Sequence, residues 1–197
     1  MSDFKNVIFL TGGIGAGKST IADNVLKRLA AEKIINAGDI FGYTTVRVSD
    51  PAGGLEGFEI ITYGGERCPL ASVKRKTANK YRGLFVNKNA FDQTLTLEFE
   101  RAKRQANPVI HIDEIGLMEK IAPRYINMLT DLIKNFKVPI IAIVKFIEKD
   151  DFLDQLKGFD NVELYTVTKI NRNRIEAEVY EEFTAIIKNR SDKNKLN

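Results

Sequence analysis

The chain has 197 residues, 44% of them hydrophobic and 28% charged, with a formal net charge of +4. At this length one domain buries roughly 70% of its unfolded surface without a staple, and the single cysteine, Cys68, excludes an intramolecular disulfide and fits a reducing compartment. The charge is too mild and too evenly spread to argue for nucleic acid, and no apolar run approaches the about eighteen residues of a membrane span. A cytoplasmic monomer is expected, with no leader-like apolar stretch ahead of the first strand.

In chain order, the first element is a strand over Val7-Ile8-Phe9-Leu10, which runs through Thr11 into Gly12-Gly13-Ile14-Gly15-Ala16-Gly17-Lys18-Ser19-Thr20. The spacing Gly-x-x-x-x-Gly-Lys-Ser is that of a P-loop. Its glycines let consecutive N–H groups turn round a phosphate without Cβ atoms in the way, and the helix starting near Lys18 aims its positive end at the same anion. Gly12, Gly13, Ile14, Gly15, Ala16, Gly17, Lys18, Ser19 and Thr20 are the candidate nucleotide-binding residues. Lys18 would reach the β- and γ-phosphates as a charge, and the Ser19 hydroxyl would serve Mg²⁺.

Ile21, Val25, Leu29 and Ala30 continue at helical spacing. Strands are predicted over 43–48, rich in β-branched Thr44, Thr45, Val46 and Val48, and over 57–63. The turn-forming run Ser49 to Gly54 between them predicts an antiparallel hairpin set into an alternating α/β pattern. Glu66 to Lys80 is polar, carries the basic run Lys74-Arg75-Lys76 and lacks periodicity, which makes it the best candidate for a mobile lid. A short strand over 84–86 and a mostly helical stretch from Phe91 to Ala106 precede the break at Asn107-Pro108.

The second strong signal is Val109-Ile110-His111-Ile112-Asp113-Glu114. An apolar strand delivers an aspartate at its carboxyl end, where open α/β sheets bind ligands, about ninety residues after the P-loop. Asp113 matches a Walker B aspartate for Mg²⁺, and Glu114 is placed to orient or deprotonate an attacking water. His111 alternates with Ile110 and Ile112 and reads as a packed neutral imidazole rather than an acid or base. Beyond it, Pro123 opens a helix with an apolar face from Tyr125 to Phe136, 138–144 reads as a buried parallel strand, and 150–157 as a short helix. A strand over 162–165 and a closing helix through Ile175, Val179, Phe183, Ile186 and Ile187 follow. The polar residues 189–197 are expected to fray. The fold class is α/β: a three-layer, mostly parallel sheet flanked by helices, in one domain spanning 1–197.

With both motifs placed, Asp113-Glu114-Ile115-Gly116-Leu117-Met118-Glu119 resembles the Asp-Glu-Ile-Gly-x-Met-Glu signature of the small P-loop nucleoside-triphosphatase family that includes thermophile enzymes and the human cancer-related nucleoside-triphosphatase. Val46-Arg47, Gly57-Phe58, Pro69-Leu70-Ala71, Lys80-Tyr81 and Thr168 with Asn171-Arg172 resemble other family segments in order. The resemblance implies a RecA-like sheet with a strand added between the P-loop and Walker B strands. It also implies slow, Mg²⁺-dependent hydrolysis of ATP, GTP and other triphosphates to diphosphate and phosphate. By the same resemblance Arg47 neutralises charge at the γ-phosphate and stands with Lys18 and Glu114 as a catalytic residue, while Ser19 and Asp113 hold the metal. Two departures stand out: Thr45 replaces the family glutamate, and the glycine motif before it reads Ile40-Phe41-Gly42-Tyr43.

The motifs leave two further uses open. One is a nucleotide or small-molecule kinase, with an acceptor hydroxyl served by the same carboxylates. The other is a nucleotide-gated switch whose hydrolysis resets a partner-binding conformation. No Asn-Lys-x-Asp motif selects guanine, and Asn171-Arg172 is the one hint of a base contact.

Overall fold

The computed structural model describes residues 5–195, the last five as backbone alone. Its first strand is β1 (Val7–Thr11), an inner strand every residue of which is buried, with a parallel neighbour on either side. The chain continues as α1 (Lys18–Ala31), β2 (Ile40–Ser49), β3 (Leu55–Thr62), β4 (Arg67–Ser72), β5 (Asn79–Tyr81) and β6 (Leu84–Val86). A π-helical turn over Ala90–Leu95 leads into α2 (Thr96–Lys103), followed by β7 (Val109–Ile115), α3 (Pro123–Asn135), β8 (Ile140–Val144), α4 (Asp151–Lys157), β9 (Val162–Thr166) and α5 (Arg172–Lys195).

Among the described residues the strands form one sheet of nine, in the order β5-β6-β4-β3-β2-β7-β8-β1-β9. From β2 to β9 neighbouring strands run parallel, and β8 stands between the P-loop strand β1 and the aspartate-bearing strand β7. Successive side chains of a strand face opposite ways, so β1 feeds two cores. Val7 and Phe9 pack with Leu95, Phe99, Tyr125, Leu129 and Leu153 from α2, α3, α4 and the π-helical turn. Ile8 and Leu10 pack with Ile21, Val25, Leu29, Val179 and Phe183 from α1 and α5. Each such side chain, fully buried, contributes roughly 1.5–3 kcal/mol.

The expected hairpin is larger than predicted. β2 pairs parallel with β7 through Ile40↔Val109 to Tyr43↔Ile112 and antiparallel with β3 along its other edge, and β4, β6 and β5 extend that edge by three more antiparallel strands. Gly42 permits the junction: at φ 108° it lies so close to β7 that a Cβ would sit 1.9 Å from the His111 carbonyl oxygen.

The stretch 66–80 is not a long lid. Residues 67–72 are β4, inside the extension and hydrogen-bonded on both sides, which leaves 73–78 as the connecting turn. Pro69 masked this strand. It sits opposite Glu59 beside a register shift at Phe58/Glu59, where a missing N–H is tolerated. Likewise, where the tail is expected to fray from residue 189, α5 continues to Lys195, and residues 196–197 lie outside the described residues. No helix among the described residues is long and apolar enough to cross a membrane.

Candidate active site

The P-loop leaves β1 at Gly12, whose φ of 134° and approach to the Val167 carbonyl (a Cβ would lie 2.1 Å from it) admit no side chain. Gly17, at φ 105°, precedes α1 without a side-chain cap, so the first-turn N–H groups face the loop unclaimed by a capping side chain. Lys18 is only 9% exposed. Its Nζ donates to the carbonyls of Gly12 and Gly13, 3.0 Å each, so the ammonium is held inside the cradle that a triphosphate would enter. Ile14, fully exposed, stands at the loop tip.

Facing the loop is the end of β7. Its ladder with β8 pairs Ile112 with Ala142 and resumes at Ile115 with Val144, three steps on one strand against two on the other. The extra residue is a bulge at Asp113-Glu114, a device that re-aims side chains beside active sites. The Ser19 hydroxyl donates to Asp113 Oδ1 at 3.2 Å. Burial pushes the Asp113 carboxyl up to about 6; Glu114 and Asp23 push it the same way, while the Ser19 hydrogen bond opposes them. A hydroxyl and a carboxylate side by side, with a further carboxylate adjacent, make a hard-oxygen donor set that fits Mg²⁺, which takes one or two carboxylates and keeps sites for phosphate and water.

The backbone of that bulge is fastened from β2. Thr45 Oγ1 donates to the Asp113 carbonyl, and Tyr43 Oη donates to the Glu114 carbonyl at 3.4 Å while standing 3.3 Å from Tyr125 Oη. Thr45 therefore ties β2 to the backbone of the β7 bulge. The Glu114 side chain, about one-third exposed, is paired with Lys145 Nζ at 3.4 Å. Two residues beyond Thr45 on the same face, exposed Arg47 donates to the Gly53 carbonyl at 3.4 Å. Arg47, Ser19, Asp113, Glu114 and Lys145 all line one cavity of about 410 Å³. Lys145 and Tyr43 were not singled out from the sequence. A cation immediately after the apolar run of β8, at the carboxyl end of a parallel strand, is the signal that points to Lys145.

His111 is fully buried, as its alternation with isoleucines predicts, though only half satisfied: Nδ1 lies 2.9 Å from Tyr63 Oη and Nε2 has no hydrogen-bond partner. Burial lowers its pKa to about 4. The native state thus keeps the ring neutral where the unfolded chain protonates it, so stability is complete above about 6.5 and declines as pH falls toward 4. Relative to His111→Phe, the wild type is expected to lose about 3 kcal/mol across that window in urea unfolding. Parallel pH profiles for the two proteins would contradict the assignment.

A P-loop on an inner parallel strand, an Asp-Glu pair on the strand next but one and a parallel sheet packed between helices define a P-loop nucleoside triphosphatase. The sequence profile of the NTPase family matches residues 7–180, and the chain belongs to that family. It is 31% identical to nucleoside-triphosphatase THEP1 of Methanocaldococcus jannaschii, across 92% of this chain and 99% of that protein. With the THEP1 of Aquifex aeolicus it shares 29% identity over 85% of this chain and 93% of the relative. The crystal structure of the Aquifex aeolicus protein superposes with a TM-score of 0.72 at 25% identity, over 88% of this chain and 96% of that one. The solution structure of a human cancer-related nucleoside triphosphatase gives 0.70 at 25% identity, over 88% and 95%. The protein hydrolyses nucleoside triphosphates.

Proposed function

We propose that the protein is a slow, Mg²⁺-dependent hydrolase of several triphosphates, ATP and GTP among them, which it converts to diphosphate and phosphate. The observation that carries this is the 3.2 Å contact of Ser19 with Asp113, with Glu114 next in the chain. Gly12 to Thr20 would wrap the β- and γ-phosphates with backbone N–H groups, and Lys18 would exchange its two carbonyl partners for phosphate oxygens. Ser19 and Asp113 would hold Mg²⁺, which when bound offsets charge on the β- and γ-oxygens. Glu114, kept in place by Lys145 and by the Tyr43 bond to its carbonyl, aligns a water with the γ-phosphorus and takes up its proton. Arg47 reaches the same cavity and would meet the negative charge of the γ-phosphoryl group.

Loose base selection follows from the β9–α5 loop. Asn171 accepts from the Thr168 N–H at 2.7 Å and donates to the Thr166 carbonyl at 2.9 Å, so its amide shapes that loop and is not left over to read a base edge. Phosphate release from ATP, GTP, CTP and UTP should then agree within about tenfold, the span of 1.4 kcal/mol in binding, and stop on addition of EDTA. Turnover confined to one triphosphate, or unaffected by EDTA, would count against this reading.

A further inference from the structure

The cavity beside Glu114 is more than a hydrolase needs. Its volume is about 410 Å³, within the roughly 300–1,000 Å³ of small-molecule sites, whereas a water's share of liquid volume is about 30 Å³. Besides Ser19, Asp113 and Glu114 its lining includes an apolar and partly aromatic set, Phe58, Leu70, Leu84, Phe91 and Met118. The hairpin of β5 and β6 closes the far side. Its turn, Arg82-Gly83, has φ of 47° and 84°, the tight two-residue type, and brings Tyr81 and Arg82 into the wall.

Two residues of this wall each carry a buried polar atom with no partner in the protein. Among the described residues four buried side-chain oxygens or nitrogens lack a hydrogen bond, and two of them, Tyr81 Oη and Glu119 Oε2, belong to residues lining this cavity. The Glu119 carboxyl is hydrogen-bonded to the backbone at Glu119 and Gly116 and keeps one oxygen unpaired; since buried polar groups are normally paired, that oxygen and the Tyr81 phenol mark a place for a ligand with matching groups. Glu119 is 4% exposed, and burial pushes its carboxyl up to about 7. Apolar and aromatic side chains suit a planar ring, and a carboxyl and a phenol suit the amino and hydroxyl groups on its edges.

We infer that this cavity is a second substrate site that takes a nucleoside and offers one of its hydroxyls, in place of water, to the γ-phosphate held over Ser19 and Asp113. The assignment rests on the triphosphate orientation given above. The hydroxyl oxygen bonds to the γ-phosphorus, the bond from that phosphorus to the β,γ-bridging oxygen breaks, and its electron pair leaves with the nucleoside diphosphate. The hydroxyl proton passes to Glu114 and on to solvent, so nucleoside and triphosphate become nucleoside monophosphate and diphosphate.

The test is incubation of the full chain with γ-labelled ATP, Mg²⁺ and, in turn, adenosine, guanosine, cytidine and uridine at millimolar concentration, with labelled monophosphate and free phosphate separated. Labelled monophosphate is expected with at least one nucleoside, in equal amount to the ADP not accounted for by free phosphate. Phe58→Trp, which fills the apolar wall, and Glu119→Gln, which keeps the shape but turns one acceptor oxygen into a donor, should each lower product formation by about tenfold or more. Phe58→Trp should leave phosphate release without nucleoside unchanged. Phosphate release from ATP with no labelled monophosphate from any nucleoside overturns the second site and leaves the hydrolase reading intact. Labelled monophosphate without any free phosphate supports the second site and overturns the hydrolase reading instead. Product formation unchanged in both variants places the acceptor elsewhere and overturns the assignment.

Discussion

Lys18→Ala is expected to lower kcat for ATP hydrolysis on the order of 10² to 10³, the usual cost of removing one preorganised charge donor from a phosphoryl-transfer site. The ammonium is already inside the loop, 9% exposed and bonded to two loop carbonyls, so no reorganisation of solvent is needed when phosphate replaces them. No other residue from Gly12 to Thr20 carries a charge that could substitute. Phosphate release at saturating ATP, with thermal unfolding to show that the variant folds, checks the expectation. Turnover within about threefold of the wild type would exclude Lys18 from the reaction, since it corresponds to under about 1 kcal/mol.

Glu114→Gln separates chemistry from binding. An amide can hold a water but cannot accept its proton, so hydrolysis should fall by a comparable factor, on the order of 10² to 10³, while nucleotide affinity is kept. The substitution also frees Lys145 from its 3.4 Å partner, which places one more uncompensated cation near the γ-phosphate and argues against weaker binding. Titration with a fluorescent triphosphate analogue beside the phosphate-release assay reads both quantities. Loss of affinity equal to the loss of turnover would make Glu114 a structural or metal-holding group rather than the water-orienting one.

How far the chain can be read in advance depends on how local the cause is. The P-loop is contiguous, and its function follows from glycine backbone freedom and the start of a helix, both properties of neighbouring residues. The run over 109–114 and the continuous apolar run of β8 declare buried strands for the same reason. β4 was not legible, because Arg67-Cys68-Pro69-Leu70-Ala71-Ser72 has no clean alternation and becomes a strand only with β3 and β6 on its two edges. The Phe91 to Ala106 stretch was legible as helix but not as a π-helical turn ahead of α2. Tyr43 escaped because nothing in its own segment distinguishes it from an ordinary strand tyrosine, and Lys145 because its one signal, a cation at a strand end, gains meaning only once that end is known to lie beside β7.

The sequence by itself determined the α/β class, the phosphate loop and the carboxylate pair, since each rests on short-range chemistry written in consecutive residues. The tertiary structure alone decided what those pieces do together. Ser19 and Asp113 lie 94 positions apart and meet at 3.2 Å because β8 separates β1 from β7 by one strand width on either side and the β7 bulge turns Asp113 toward the loop. The cavity that Glu114 shares with Phe58, Tyr81 and Glu119 needs the four-stranded extension, whose pairing is non-local and leaves no periodic mark in any one segment.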